Sequence, residues 1–253
     1  MTTDLPSVSV VIPVRNDARM LEACLRALET QTRAPGEIVV VDNASTDDTK
    51  AVAERYGARV VTEPVPGIPQ AASAGYDAAT GDIIARLDAD SRPGPEWIER
   101  IERTFQHSSE LDFLTGDPRF YGATPLVHWI GRHLYIGGMY AVLTPYLGHA
   151  PLFGSNMAMR ARAWRMLSGE VHRHEPNIHD DFDLSFHIRP EMTVRRDRGL
   201  VVDVSARPFR NWASLRRRLS WVVPTVRLHL PGEAPHRRRL ARRRAHAAAS
   251  TRQ

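Results

Sequence analysis

Glu37-Ile-Val-Val-Val-Asp-Asn-Ala-Ser-Thr-Asp-Asp-Thr49 sets four consecutive β-branched residues directly against a loop of acids, an amide and hydroxyls. An unbroken apolar run of this kind suits a strand covered on both faces, as in a parallel sheet, better than one wetted on one side. The polar residues that follow suit a helix start. Ser45 or Thr46 is expected to open a helix that runs to Tyr56 and stops at Gly57.

Working outward, the same strand-then-helix unit recurs. Val8-Ser-Val-Val-Ile12 ends at Pro13, and Met20, Leu21, Cys24, Leu25 and Leu28 then repeat at helical spacing behind a candidate N-cap, Asp17. Arg59-Val-Val-Thr62 precedes a Pro/Gly turn at residues 64–69 and a helix of small residues through Ala79. Asp82-Ile-Ile-Ala-Arg-Leu87 runs into Asp88-Ala-Asp90, and Trp97, Ile98, Ile101 and Phe105 line one face of the next helix. Four strands joined by helices predict an α/β fold with a Rossmann-like, mostly parallel sheet flanked by helices. Ligands of such sheets sit beyond the carboxyl ends of the strands. Those ends are the loops 13–17, 42–46, 64–69 and 88–91.

The 253 residues, 42% of them hydrophobic, suffice for a sizeable core. A single cysteine, Cys24, excludes disulfide stapling and points to a reducing compartment. Met1 to Pro6 has no basic start or apolar leader, so no secretory signal is expected. Charge divides the chain: residues 1–206 carry 21 Lys and Arg against 28 acids, whereas residues 207–253 carry 13 Arg against Glu233. The expected organisation is a catalytic domain over 1–206, with halves at 1–117 and 118–206, and a basic extension over 207–253. That extension reads as amphipathic around Trp212, Leu215, Leu219, Trp221, Val222 and Val223, among Arg216 to Arg218, and as a flexible tail after Pro231. The uncharged stretch His133–Met159 is broken by Gly137, Gly138, Pro145, Gly148 and Pro151, which suits a buried or interfacial segment better than a membrane span.

Three groups could carry chemistry. Asp88 and Asp90, two residues apart at a strand end, suit a hard divalent cation with oxygen ligands, Mg²⁺ or Mn²⁺; a helix-capping turn is the alternative. Asp42 could accept from a base N–H or a ribose hydroxyl, with Ser45, Thr46, Asp47 and Asp48 as capping residues behind it. In His179-Asp-Asp-Phe-Asp-Leu184 three carboxylates crowd within four residues, which suits a general base or a surface acidic turn. The histidines 128, 133, 172, 174 and 179 match no structural zinc spacing, although one of them, His179 being nearest, could complete a catalytic metal shell.

Taken together, Ser9-Val-Val-Ile-Pro-Val-Arg-Asn16, Glu37–Thr49 and Asp88-Ala-Asp90 resemble the nucleotide-sugar half of family 2 glycosyltransferases, which have the GT-A fold. Gly154-Ser-Asn-Met-Ala-Met-Arg160 and Asp180-Asp-x-x-Leu184 resemble that family's acceptor-half motifs, so the resemblance spans about residues 7–190. It implies an inverting, metal-dependent transferase that moves a sugar from a UDP- or GDP-sugar to a hydroxyl, on a lipid-linked or cell-envelope glycan. Pro13, Val14, Arg15, Asp42, Asp88, Ala89 and Asp90 would then bind the donor, with Asp88 and Asp90 as metal ligands. Gly154, Ser155, Asn156 and Asp180 would bind the acceptor, and Asp181 would be the base.

Three positions depart from the family pattern. Asp180 replaces a Glu, Ala72 and Ser73 replace the common Arg/Lys and Asn, and Ser168-Gly-Glu-Val171 replaces Gly-Gly-Phe. The arginines past residue 206 read as an address to an anionic membrane surface, which places the chain in the cytoplasm at the inner face of the plasma membrane. Two rival readings are a nucleotidyltransferase and a non-catalytic protein that binds nucleic acid through the basic tail. The first lacks its Gly-rich loop after the first strand. The second leaves the acids at the strand ends without a role.

Overall fold

The computed structural model describes residues 5–210, 212–229 and 235–250. Eight strands form one sheet in the order β3-β2-β1-β4-β7-β6-β8-β5. They are β1 (Val8–Val14), β2 (Glu37–Asp42), β3 (Arg59–Thr62), β4 (Ile83–Arg86), β5 (Ser91–Pro93), β6 (Leu111–Tyr121), β7 (Met157–Arg160) and β8 (Thr193–Ser205). The four strands read from the sequence pair in parallel as β3-β2-β1-β4. β7 is antiparallel to both β4 and β6.

Alternation along β1 explains its run of apolar residues. Val8, Val10, Ile12 and Val14 pack against α1 (Ala18–Glu29), α2 (Thr49–Arg55) and α4 (Trp97–Gln106) on one face. Val11 packs on the opposite face with α3 (Ile68–Ala78), α7 (Ala161–Leu167) and α8 (Asp180–His187). Each such fully buried Val or Ile contributes ~1.5–3 kcal/mol relative to exposure. Cys24 is buried in the first of these cores, and burial pushes its thiol well above the usual range.

Two helix starts differ from expectation. α2 begins at Thr49, later than Ser45 or Thr46, because those residues serve the neighbouring loop: Asn16 N–H donates to Ser45 Oγ and Thr46 N–H to Asn16 Oδ1. Asp47 takes over the capping, accepting from Thr49 and from Ala18 N–H. Asp17 precedes α1 but makes no side-chain cap; its carboxylate faces Arg207 instead.

The uncharged stretch begins within a π-helical turn over Gly131–Ile136, which follows α5 (Pro125–Ile130), and continues through α6 (Gly137–Leu147). Leu126, Trp129, Leu134 and Val142 of these elements are exposed. Among the described residues, no helix is long and apolar enough to cross a membrane.

The basic C-terminal segment folds as α9 (Arg207–Arg210), α10 (Trp212–His229) and α11 (Pro235–Ser250). The flexible tail expected after Pro231 is thus helical over residues 235–250, where Ala and Arg are strong helix formers. Its arginines also have work in the fold. The Arg242 guanidinium is buried and donates to the Met192 and Arg189 carbonyls, and Arg238 donates to the Phe186 carbonyl. Residues 231–234 and 251–253 of the expected tail, and the side chains of Trp212 and Arg217, lie outside the described residues.

Candidate functional site

A cleft of about 380 Å³ opens beyond the carboxyl ends of β1 and β4. Pro13, Val14 and Arg15 extend from β1 along one side, and Asp88, Ala89 and Asp90 follow β4 along another. Gly154 and Ser155, from the turn before β7, and Asp180 and Asp181, from the start of α8, line it as well. The donor and acceptor motifs therefore meet in one place.

Arg86 fixes how they meet. It is the last residue of β4 and is 3% exposed. Its guanidinium donates to Asp88 Oδ1 at 3.1 Å and to Asp180 across the cleft floor. Gly154 is required beside it, because a Cβ there would lie 2.9 Å from the Arg86 guanidinium carbon. Asp88 Oδ2 also accepts from the Ser155 hydroxyl at 2.5 Å. Against the desolvation of the cleft, Arg86 and Ser155 hold the Asp88 carboxyl below its usual range. Asp180 moves the other way: burial, reinforced by Asp181 and Asp88, raises it to about 6 against the pull of Arg86.

Asp181 is held by backbone amides. Its Oδ2 accepts from Gly154 N–H at 2.8 Å and its Oδ1 from Phe182 N–H at 2.9 Å. A carboxylate presented in this way, open to the cleft on its remaining lone pairs, can take a proton from a bound hydroxyl.

Asp90 suits a divalent cation. Burial, together with repulsion from Asp88, raises its carboxyl above the usual range, the condition of an acid short of counter-charge. Arg207 meets its Oδ2 at 3.2 Å and offsets part of this, and Tyr121 fixes the Asp90 carbonyl at 2.9 Å. Two hard carboxylates two residues apart on a cleft wall are a donor set for Mg²⁺ or Mn²⁺.

Two expected site residues stand elsewhere. The Asp42 carboxylate is buried and accepts from Ser45 N–H at 3.1 Å; its neighbour Asn43 reaches the cleft. Asn156 is fully buried, accepting from Trp97 Nε1 and donating to the Leu200 carbonyl, so it holds β7 and β8 together beneath the cleft. His179 lines the cleft, with its Nε2 at the Arg218 carbonyl.

Residues 9–165 match the sequence profile of glycosyl transferase family 2. The chain belongs to that family. It is 34% identical over 128 residues to glycosyltransferase AglE of Haloferax volcanii, covering 47% of this chain and 42% of that one. It is 41% identical over 110 residues to an undecaprenyl-phosphate 4-deoxy-4-formamido-L-arabinose transferase of Pseudomonas paraeruginosa, covering 39% and 32%. The matched part of AglE is thus about two-fifths of its length. The GT-A fold is shared with glucosyl-3-phosphoglycerate synthase of Mycobacterium tuberculosis, solved with UDP: TM-score 0.62, 21% identity, 87% of this chain and 78% of that one. The same synthase is also solved with Mn²⁺, UDP-glucose and phosphoglyceric acid: TM-score 0.56, 21% identity, 79% and 70%.

The family 2 motifs leave part of this cleft unread. Arg86 belongs to no motif, yet it is the one charge in the otherwise apolar Ile83–Leu87, and that is its sequence signal. Arg207, Arg218 and Trp221 of the basic extension also line the cleft. Part of the positive charge expected to address a surface is therefore turned toward Asp17, Asp88 and Asp90.

Proposed function

We propose that this chain is an inverting transferase that moves a sugar from a UDP- or GDP-sugar to the hydroxyl of a lipid-linked acceptor, with Mg²⁺ or Mn²⁺ as cofactor. The observation that carries this reading is the meeting of Asp88 and Asp90 with Asp180 and Asp181 in one cleft at the strand ends. The fold neighbour solved with UDP, and with UDP-glucose and Mn²⁺, supports the donor class and the cation.

In this reading the nucleoside diphosphate lies along Pro13, Val14 and Arg15, with Asp42 behind the base loop and Ala89 beside the ribose. Asp88 and Asp90 would hold the cation, which when bound neutralises the diphosphate. Arg207 and Arg218 add fixed positive charge on the side from which the leaving group departs. Gly154 and Ser155 shape the acceptor side, and Asp180 is pinned there by Arg86. Asp181 takes the proton from the acceptor hydroxyl. The freed oxygen attacks the anomeric carbon as the bond to the diphosphate breaks, so the configuration inverts in one displacement.

A lipid-linked acceptor is supported by the surface next to the cleft. Tyr135 and Met139 line the cleft, while Leu134 and Val142 on the same helical stretch are exposed. Exposed apolar side chains on a helical stretch that also lines the cleft suit acyl or prenyl chains at a membrane surface. The relative named for undecaprenyl phosphate supports a prenyl-bearing partner, though not the group that accepts the sugar.

The deciding experiment is a thermal-shift panel of UDP-, GDP- and TDP-sugars with Mn²⁺ or Mg²⁺. One nucleotide should raise the midpoint, and chelation should remove the gain. No shift with any donor would reject the reading.

A further inference from the structure

Away from the cleft carboxylates, three imidazoles and one carboxylate converge. Asp183 and His187 stand four residues apart on α8 and so share a face. His172 comes from the segment after α7 and His229 from the last residue of α10. Asp183 Oδ1 lies 2.7 Å from His172 Nδ1, 2.9 Å from His229 Nε2 and 3.6 Å from His187 Nε2. His172 Nδ1 and His187 Nε2 are 3.4 Å apart, and all four ligand atoms lie within 4.8 Å of one another. The surroundings hold them in place. Asp183 Oδ2 accepts from His172 N–H, and Phe186 stacks on the His229 ring at 4.3 Å between centroids.

Hydrogen bonds alone satisfy this arrangement poorly. Three ring nitrogens aim at a single oxygen, and two of them also face each other. If both carry hydrogens, the protons crowd; if either does not, its lone pair confronts the carboxylate. A dication receives all the lone pairs at once. An ion about 2.0–2.1 Å from each ligand in a tetrahedron sets those ligands about 3.3–3.4 Å apart. Four of the six separations, 2.7 to 3.6 Å, straddle that value, and all six lie within 4.8 Å.

We propose that His172, Asp183, His187 and His229 form a closed, tetrahedral Zn²⁺ site. Four protein ligands leave no open position, which is the character of a structural site. Imidazole-rich ligands select zinc-like ions, whereas the oxygen pair Asp88 and Asp90 suits Mg²⁺ or Mn²⁺, so the two sites differ in chemistry as well as place. The Asp183 and His229 side chains are only 3% and 8% exposed, while His172, at 34%, faces solvent on one side of the site. It would clip the end of α10 to α8. α10 carries Arg218 and Trp221 to the cleft, and α8 carries Asp181. The ligands are spread over residues 172 to 229, which is why no local spacing of histidines announces them.

The test uses the full chain, stripped with chelator and then equilibrated with Zn²⁺ or Co²⁺ alone. One zinc per chain should survive dialysis, and the Co²⁺ form should give the intense visible bands of tetrahedral coordination. A double variant, His187→Gln with His229→Gln, should bind Zn²⁺ at least about 100-fold more weakly, whereas Asp90→Ala should keep the ion. Weak octahedral Co²⁺ bands, no retained zinc, or equal retention in the folded double variant would overturn the site. Circular dichroism reports whether the double variant folds; if it does not, the wild-type Co²⁺ spectrum decides. None of these readouts depends on sugar transfer.

Discussion

Arg86, at the end of β4, donates to Asp180, at the start of α8, across 94 residues of chain. Through its second nitrogen it also holds Asp88, so one buried guanidinium spaces the donor-side acid from the acceptor-side pair. Removing one partner of a buried pair leaves the other charge stranded, at a cost of about 3–5 kcal/mol. Arg86→Met is therefore expected to lower stability by about that amount in urea unfolding, and Arg86→Met with Asp180→Leu should recover part of it. Equal loss in the single and double variants would show that Asp180 is not the partner that matters.

Asp90 and Asp181 serve different steps in the proposed reaction, so their variants should separate. Asp90→Ala should remove the Mn²⁺-dependent thermal shift with the donor and reduce turnover at least about 100-fold, the scale on which positioned charge acts in catalysis. Asp181→Asn should keep the donor shift and lose transfer by about 10²–10⁴-fold, the contribution of a general base. Transfer that survives in Asp181→Asn would move the base to another carboxylate of the cleft.

The sheet was legible because Val39 to Val41 and Val8 to Ile12 are buried and, Ser9 apart, read as continuous apolar runs. The same logic located Asp88 and Asp90, which follow such a run directly. Asn156 was misplaced because a motif records identity and not direction: its amide turns inward to Trp97 and Leu200. Arg207 and Arg218 were hidden by composition. Among 13 arginines after residue 206, nothing in the sequence marks the two that turn into the cleft. The imidazole cluster was hidden by distance along the chain, since His229 joins Asp183 only once α10 has packed on α8.

Arg207 bridges Asp17 and Asp90, so in the proposed reading it would supply positive charge to the diphosphate. Its pKa is pushed up above the ordinary arginine range, chiefly by the hydrogen bond to Asp17, and it stays charged at every working pH. Arg207→Ala is expected to weaken UDP binding about tenfold while leaving uridine binding unchanged, and to flatten the salt dependence of UDP binding. Calorimetry with the two ligands measures both. Equal weakening for uridine would place Arg207 in base recognition or in folding.

Glu37 links three elements, accepting from Ser9 on β1, Arg59 on β3 and Thr80 after α3. Burial opposes its charge, but these donors together hold its pKa at about 2, below the ordinary 4.5. A carboxyl depressed in the folded state adds stability above its unfolded pKa and loses it as pH falls through the folded value. Glu37→Gln should therefore be less stable than the parent at pH 6. The gap should narrow from about pH 4.5 and close near pH 2 in urea titrations. A gap that stays constant over that range would mean that Glu37 acts by shape alone.

The apolar edge separates a lipid-linked acceptor from a water-soluble one. Leu134 and Val142 are 61% and 70% exposed, so a charge at either position creates no buried defect and should leave folding intact. If the acceptor chain rests on this edge, Leu134→Glu with Val142→Glu should raise KM for a prenyl-linked sugar acceptor in vesicles by about tenfold or more, since each buried methylene is worth ~0.8 kcal/mol. The same variant should leave KM for the nucleotide sugar unchanged, because Pro13, Asp88 and Asp90 lie on other elements. An unchanged KM for the prenyl acceptor would assign the edge to packing against another protein and reopen the choice of acceptor.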